Sequence, residues 1–365
     1  MESAHRLLLA ACIDGEDVEL VRRALDSVSA SDDDPIADEL YPLLHAAVCR
    51  LGLGDPADPS RRRLASCYKR TWIRNQLLLH QARPVFGHLE RSGSRWALLK
   101  GGAILSAAYR DDLGVRPLAD FDLLIDSARI RSVVAWVLSR GWRVDEASGW
   151  DADDFLHAHH AVDLRNDTGG ALDLHRVLLA TDRHPELDDH LLDTTIMTAL
   201  GDRPVPILAP TAYLFHTLAH ARPIGLRHIV DAATIIDRHR DAIDWDEVVE
   251  QASARRALAA VERALATLDD VAPERVPPFV LTRVGSAKRH WTDWTYQGQP
   301  VNSRRQGMRV FASNVAQRFR GQSVGERLRT GRLVARRYAA ASAEDLTAIG
   351  KIRKFLLTGP RRKSE

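Results

Sequence analysis

Cysteine is scarce: three residues among 365, Cys12, Cys49 and Cys67. All lie in the first fifth of the chain, and none forms a Cys-x-x-Cys pair. That argues against a disulfide framework or a zinc site and fits a reducing compartment. Long hydrophobic runs are also missing. No stretch approaches the roughly 18 apolar residues that a membrane span needs, so a transmembrane segment is not expected. A large excess of one charge is lacking too, with a formal net charge of +2. What is present is an ordinary apolar fraction of 45% and a slightly high charged fraction of 27%. This is the composition of a soluble globular chain, long enough for a real core and, at roughly 100–200 residues per domain, for two or three domains. Leu9-Ala10-Ala11-Cys12 superficially resembles a lipoprotein cleavage site. The apolar run before it is short, and Asp14, Glu16 and Asp17 follow at once. Residues 5–12 are therefore read as a buried helix and the protein as cytoplasmic.

The near-neutral total hides an asymmetry. Residues 301–365 hold sixteen Lys or Arg against four Asp or Glu, which leaves the preceding 300 net acidic by ten. Arg304, Arg305, Arg309, Arg318 and Arg320 surround Met308, Val310, Phe311, Val315 and Phe319. That pattern suits either an amphipathic helix meeting RNA, an anionic membrane or an acidic partner, or a docked helix with a solvated basic face. Trp291 and Trp294 precede it and are read as packing residues.

Periodicity divides the chain. Segments 5–12, 17–29, 36–52 and 59–83 carry apolar residues at helical spacing, with Asp, Ser and Pro at their borders. An α/β block follows. Trp96-Ala97-Leu98-Leu99 reads as a buried strand, Lys100-Gly101-Gly102 as a turn, and 103–110 as a helix. Phe121–Ile125 reads as a second strand and 127–140 as a helix. Residues 154–165 and 170–178 read as antiparallel strands around Asn166-Asp167-Thr168-Gly169-Gly170. From residue 186 helices are expected again, at 210–221, 226–240, 244–269, 306–320 and 324–340. The expected divisions are 1–90 (helical), 91–182 (the α/β core), 183–275 (helical) and 276–365 (basic and helical).

Three pieces of the α/β block carry chemistry. In Leu98-Leu99-Lys100-Gly101-Gly102-Ala103 a strand runs through two glycines into a helix. Glycine lets a phosphate approach the backbone, and a helix N-terminus offers free N–H groups; such turns also serve packing alone. In Asp120-Phe121-Asp122, strand alternation puts both carboxylates on one face. A hard divalent cation offsets their repulsion, although two solvent-facing acids are the plainer reading of any Asp-x-Asp. In Leu172-Asp173-Leu174-His175, Asp173 and His175 share a face. A third acid beside an Asp-x-Asp pair completes a two-metal site, where one ion activates the attacking oxygen and the other stabilises the leaving pyrophosphate. Taken alone, Asp173 is an ordinary surface acid.

The order and spacing of these pieces resemble the nucleotidyltransferase fold, and in particular the family of uncharacterised bacterial nucleotidyltransferases. The resemblance rests on Leu99-Lys100-Gly101-Gly102 to Tyr109, Arg116-Pro117, Asp120-Phe121-Asp122-Leu123-Leu124-Ile125 and Leu172-Asp173-Leu174-His175. A looser helical continuation runs from Leu208-Ala209-Pro210-Thr211 through His216 and His220 to Asp231, so that roughly residues 5–245 are covered. It implies an α+β fold with a mixed sheet, helices on one face, and flanking helical regions. It implies Asp120, Asp122 and Asp173 as metal ligands and catalytic acids, and Gly101 and Gly102 as the nucleotide-phosphate turn. Lys100 and Arg116 would be phosphate contacts, with His175 on the cofactor side. The cofactor would be Mg²⁺ or Mn²⁺ and the co-substrate an NTP such as ATP. The acceptor is open among a small molecule, a peptide, a glycan and RNA. Gly102 stands where the wider superfamily often has Ser, and Arg176 where the family usually has an aromatic; both departures bear on the substrate. A tRNA-modifying, toxin-like enzyme and an inactive binding scaffold are alternatives on the same fold.

Other residues invite attention. Asp163, in Val162-Asp163-Leu164, is the alternative third acid, or a surface partner of Arg165. His157, His159 and His160 suggest zinc, but no third ligand at a recognised zinc spacing follows them, so zinc is not expected. His216 and His220, four apart with His228 nearby, are read as satisfied helix histidines that could alternatively face the cleft. No Glu occupies the metalloprotease position between His216 and His220.

Overall fold

The computed structural model describes residues 3–28, 34–109, 112–144, 151–179, 185–220, 226–289 and 323–331. The N-terminal part is helical: α1 (Ser3–Ile13), α2 (Val18–Asp26), α3 (Pro35–Asp38), α4 (Tyr41–Arg50) and α5 (Pro59–Arg91). The core follows with β1 (Trp96–Leu98), α6 (Lys100–Ala108), β2 (Phe121–Ile125), α7 (Ile130–Leu138), β3 (Arg143–Val144), α8 (Ala152–Ala158), β4 (Ala161–Arg165) and β5 (Ala171–His175). After α9 (Pro185–Leu191) come β6 (Ile196–Leu200) and β7 (Arg203–Ile207). They are followed by α10 (Pro210–His220), α11 (Leu226–His239), α12 (Trp245–Ala254), α13 (Leu258–Val271) and α14 (Pro278–Ser286). Aspartates start many of these helices. Asp17, Asp34, Asp58, Asp151 and Asp244 each accept a backbone N–H at the head of α2, α3, α5, α8 and α12. Each such cap contributes about 1 kcal/mol.

The α+β architecture with a mixed sheet is as expected. Among the described residues, seven strands are ordered β3-β4-β5-β2-β1-β7-β6. β2 runs parallel to β5 and β1 parallel to β7, while the remaining neighbours are antiparallel. Phe86 of α5 packs against Trp96 and Phe121, so α5 covers the face toward which Phe121 points. His88 of α5 stacks on Trp136 of α7, with ring centroids 3.9 Å apart, which brings α7 beside it. The opposite face carries Asp122 and its neighbours.

Several expectations are corrected. Residues 36–52 form two helices, α3 and α4. The helix expected to stop at 83 continues through Pro84 to Arg91; a proline removes one hydrogen bond, and tertiary packing holds the remainder of a long helix. Residues 152–158 are helical where a strand was expected, because Asp151 caps them and Asp153 and Asp154 favour the helix N-terminus. The span 244–269 breaks into α12 and α13 at Arg255 and Arg256, the latter with a φ of 60°. The guanidinium of Arg255 is buried on Asp188, 2.6 Å away, which ties the break to α9.

Residues 183–275 are not helical throughout. The β6–β7 hairpin extends the sheet through the pairing of Leu98 with Ile207. Its prolines, Pro204 and Pro206, disguise β7, but Gly201-Asp202 is a two-residue hairpin loop, with Gly201 at a φ of 61°. The expected helix 306–320 and the tryptophans Trp291 and Trp294 lie outside the described residues, as does most of 324–340. Within that last span, 324–331 is helical. Among the described residues, no helix is long and apolar enough to cross a membrane.

Candidate functional site

The sheet register assembles the acids. Asp122 of β2 stands opposite Asp173 of β5, and Asp173 opposite Asp163 of β4. Three carboxylates therefore lie in a row across three adjacent strands. Alternation adds Asp120 to the same face, just before β2 begins. The row is recessed, with Asp122 only 4% and Asp173 9% exposed. Asp120 is nearer solvent, and its carboxylate lies 3.9 Å from Arg165. The two candidates for the third acid are thus both on the acid face, Asp173 in the middle of the row and Asp163 at its end.

Two cations sit within the row. The Lys100 ammonium donates to Asp122 at 2.5 Å and lies 4.0 Å from Asp173. It reaches them from the first residue of α6, held at a φ of 45°. That left-handed value is unfavourable for a side chain with a Cβ and aims the lysine at the acids. His175 is completely buried, and its Nε2 is 3.1 Å from both Asp122 Oδ1 and Asp173 Oδ2.

These neighbours set the protonation states. Burial disfavours charge on Asp122 and Asp173. Lys100 and then His175 nevertheless hold the Asp122 carboxyl below its usual range. For Asp173, His175 is the larger influence and the carboxyl is held well below. Burial also opposes charge on His175, but Asp173 raises it to about 9, so the ring is an imidazolium at neutral pH. Asp120 and Asp163 behave oppositely. Burial and the anionic neighbours push Asp120 up to about 6, and burial with Asp173 does the same to Asp163. His160 is driven down to about 3 by burial and then by His175, which keeps it neutral.

Arg116 and the two glycines, all expected near phosphate, have close partners within the protein. The Arg116 guanidinium is committed to Asp231, with Nη2 at 2.6 Å and Nε at 3.1 Å, and its Nη1 donates to the Pro117 carbonyl. It braces the loop before β2 against α11 and is not left for a phosphate. Gly101 and Gly102 form no open turn but lie in the first turn of α6. A Cβ on Gly101 would come within 2.1 Å of Arg116 Nη1, and one on Gly102 within 2.9 Å of Phe121. The protein itself fills the space both glycines leave, so neither position has room for a side chain.

Sequence reasoning undervalued the histidines. His160 comes beside His175, with ring centroids 5.1 Å apart, because β4 starts where β5 ends. His216 of α10 is completely buried, and neither of its ring nitrogens has a hydrogen-bond partner among the described residues. It is therefore not a satisfied helix histidine. Burial, then the nearby charges of Lys100 and His175, hold it neutral. The signal available in the sequence was its place four residues before His220 on a mostly apolar helix, where a polar ring needs a reason.

Comparison with known proteins adds three findings. Residues 36–273 match the model of a family described as uncharacterised nucleotidyltransferase. No curated protein matches the chain. The crystal structure of an antigenic nucleotidyltransferase-like protein from Paracoccidioides brasiliensis is similar at 14% identity, covering 59% of this chain and 95% of that one, with a TM-score of 0.34.

Proposed function

Since this chain belongs to the uncharacterised nucleotidyltransferase family, we propose that it is a metal-dependent enzyme that moves a nucleotidyl group from an NTP to an acceptor nucleophile. The observation that carries this reading is the register of Asp122 with Asp173 on parallel strands, with Asp120 on the same face. Carboxylates so placed are a donor set for a hard divalent cation such as Mg²⁺ or Mn²⁺. Fit is supported by Asp173 Oδ1, which is buried and has no hydrogen-bond partner among the described residues, and by the clustering of carboxylates around few cations. When bound, the metal would neutralise the triphosphate and lower the pKa of the attacking group.

The chain's own residues do the rest. Asp120, Asp122 and Asp173 would hold the metal. Lys100 is part-buried among them and close enough to pass from Asp122 to a phosphate oxygen when metal and nucleotide arrive together. No side chain caps α6, so its first N–H groups are left for an anion. His175 holds the orientation of Asp122 and Asp173 by its two contacts.

The test is label transfer from each α-labelled NTP, with Mg²⁺ or Mn²⁺ and cell extract as acceptor source, against an Asp120→Asn, Asp122→Asn double variant. Transfer by the wild type alone supports the reading, and the size and nuclease or protease sensitivity of the product give the acceptor class. Absence of transfer together with absence of metal-nucleotide binding would turn the site into a degenerate scaffold.

A further inference from the structure

The three-histidine run around residue 160 carries no zinc spacing within the sequence, yet folding supplies what the spacing lacks. His160 immediately precedes β4, and its carbonyl accepts the N–H of Arg176 at 2.9 Å. Ala161 stands opposite His175 in the β4–β5 ladder. His160 is thereby set against the end of β5, where Asp173 and His175 project. One ligand atom from each of His160, Asp173 and His175 can be chosen so that all three lie within 4.8 Å of one another. His175 Nε2 and Asp173 Oδ2 are already 3.1 Å apart.

We infer that His160, His175 and Asp173 form a site for a transition-metal ion of the zinc or cobalt class, on the inner side of the carboxylate row. Two observations besides the clustering point to a ligand. Asp173 Oδ1 and His175 Nδ1 are both buried and without a hydrogen-bond partner among the described residues. Orphaned polar atoms of this kind are costly unless something meets them. The donor set also has its own selectivity. Once the ion has displaced the proton from His175, two imidazole nitrogens and one carboxylate oxygen suit zinc or cobalt, whereas Mg²⁺ favours oxygen alone. Three protein ligands leave one position of a tetrahedral ion open, the arrangement of sites that bind water or substrate rather than of closed structural sites. Asp173 is the one residue shared with the oxygen-rich set of Asp120 and Asp122. The inference goes beyond nucleotidyl transfer, since it rests on the donor set and would hold in a protein that transferred nothing.

The experiment is a titration of the full-length, metal-free protein with Co²⁺, followed by visible absorption and back-titration with Zn²⁺ and Mg²⁺. Circular dichroism checks that each variant is folded. The expected result is a visible cobalt band that saturates at one equivalent. Zn²⁺ displaces it stoichiometrically, and Mg²⁺ in large excess does not. His160→Ala and His160→Gln each weaken Co²⁺ and Zn²⁺ binding by at least about tenfold, while His80→Ala, on the exposed side of α5, leaves the band unchanged. Asp120→Asn keeps the band while losing any label transfer, which separates this inference from the proposed activity. The inference is overturned if Mg²⁺ displaces cobalt as readily as Zn²⁺ does, if both folded His160 variants bind zinc like the wild type, or if Asp120→Asn abolishes the band.

Discussion

Asp231 holds Arg116 through both carboxylate oxygens, at 3.1 and 3.2 Å to Nε and 2.6 Å to Nη2. The side chains of both residues are more than nine-tenths buried. The pair fastens α11 to the loop that delivers Asp120 to the sheet. Breaking one partner of a buried pair strands the other charge, so Asp231→Ala is expected to lose about 3–5 kcal/mol of stability in urea unfolding. The joint replacement Arg116→Met with Asp231→Leu should recover most of that loss. A single variant as stable as the wild type would show that the pair is not a brace.

Gly101 lies against the same guanidinium. Its replacement by alanine would put a methyl group 2.1 Å from Arg116 Nη1 and 2.5 Å from Leu118 Cδ2. Neither neighbour can retreat without disturbing the Asp231 pair or the loop. Gly101→Ala is expected to cost about 1–3 kcal/mol and to weaken nucleotide binding only as far as it unfolds the protein. Normal stability with lost nucleotide binding would restore the phosphate-turn role that the sequence suggests.

The acid site was legible in the sequence because strand alternation is a strict geometric rule. Asp120 and Asp122 had to share a face, as did Asp173 and His175, and β2 has the expected limits, Phe121–Ile125. Register across strands is a tertiary fact, and it alone brought Asp122, Asp173 and Asp163 into line and His160 beside His175. Arg116 was misread for a related reason. A cation near two glycines and two acids suggests phosphate, but its partner, Asp231, comes from a helix more than a hundred residues away. The β6–β7 hairpin was missed because Pro204 and Pro206 outweighed the Gly201-Asp202 loop signal.

Lys100 occupies the acid row as an internal counter-ion, and this gives its removal two opposite effects. Lys100→Met leaves Asp122 and Asp173 without that competing charge. Affinity for Mn²⁺ alone is then expected to rise, on the order of tenfold. Affinity for the triphosphate in the presence of metal should fall by a similar factor, because a phosphate contact is lost. Isothermal titration with Mn²⁺, then with Mn²⁺ and a non-hydrolysable NTP, separates the two. Changes in the same direction would mean that Lys100 does not exchange between the acids and the nucleotide.

Two groups of the acid row make contributions to the stability of the metal-free protein that fall as pH rises, each read as the difference between wild type and variant. Asp120 has its folded pKa raised from 3.8 to about 6. The folded state therefore binds the extra proton between those values, and the Asp120 contribution falls as pH climbs through them, while the buried neutral His160 and His216 act in the opposite direction below 6.5. His175 has its folded pKa raised from 6.5 to about 9. Its contribution is complete below 6.5 and disappears as pH rises through 9. Below 3.8 the opposite loss begins, because Asp122 and Asp173 are held low and must be protonated. Asp120→Asn should remove its own share of the lower contribution, Asp163 keeping the other, and stabilise the metal-free protein at neutral pH by about 1–2 kcal/mol, while abolishing any transfer activity. His175→Asn should flatten the upper contribution instead. Urea midpoints measured across both ranges test this. A decline between pH 6.5 and 9 that survives His175→Asn would place the titrating group elsewhere, and His175 would then be a neutral ring within the acid row.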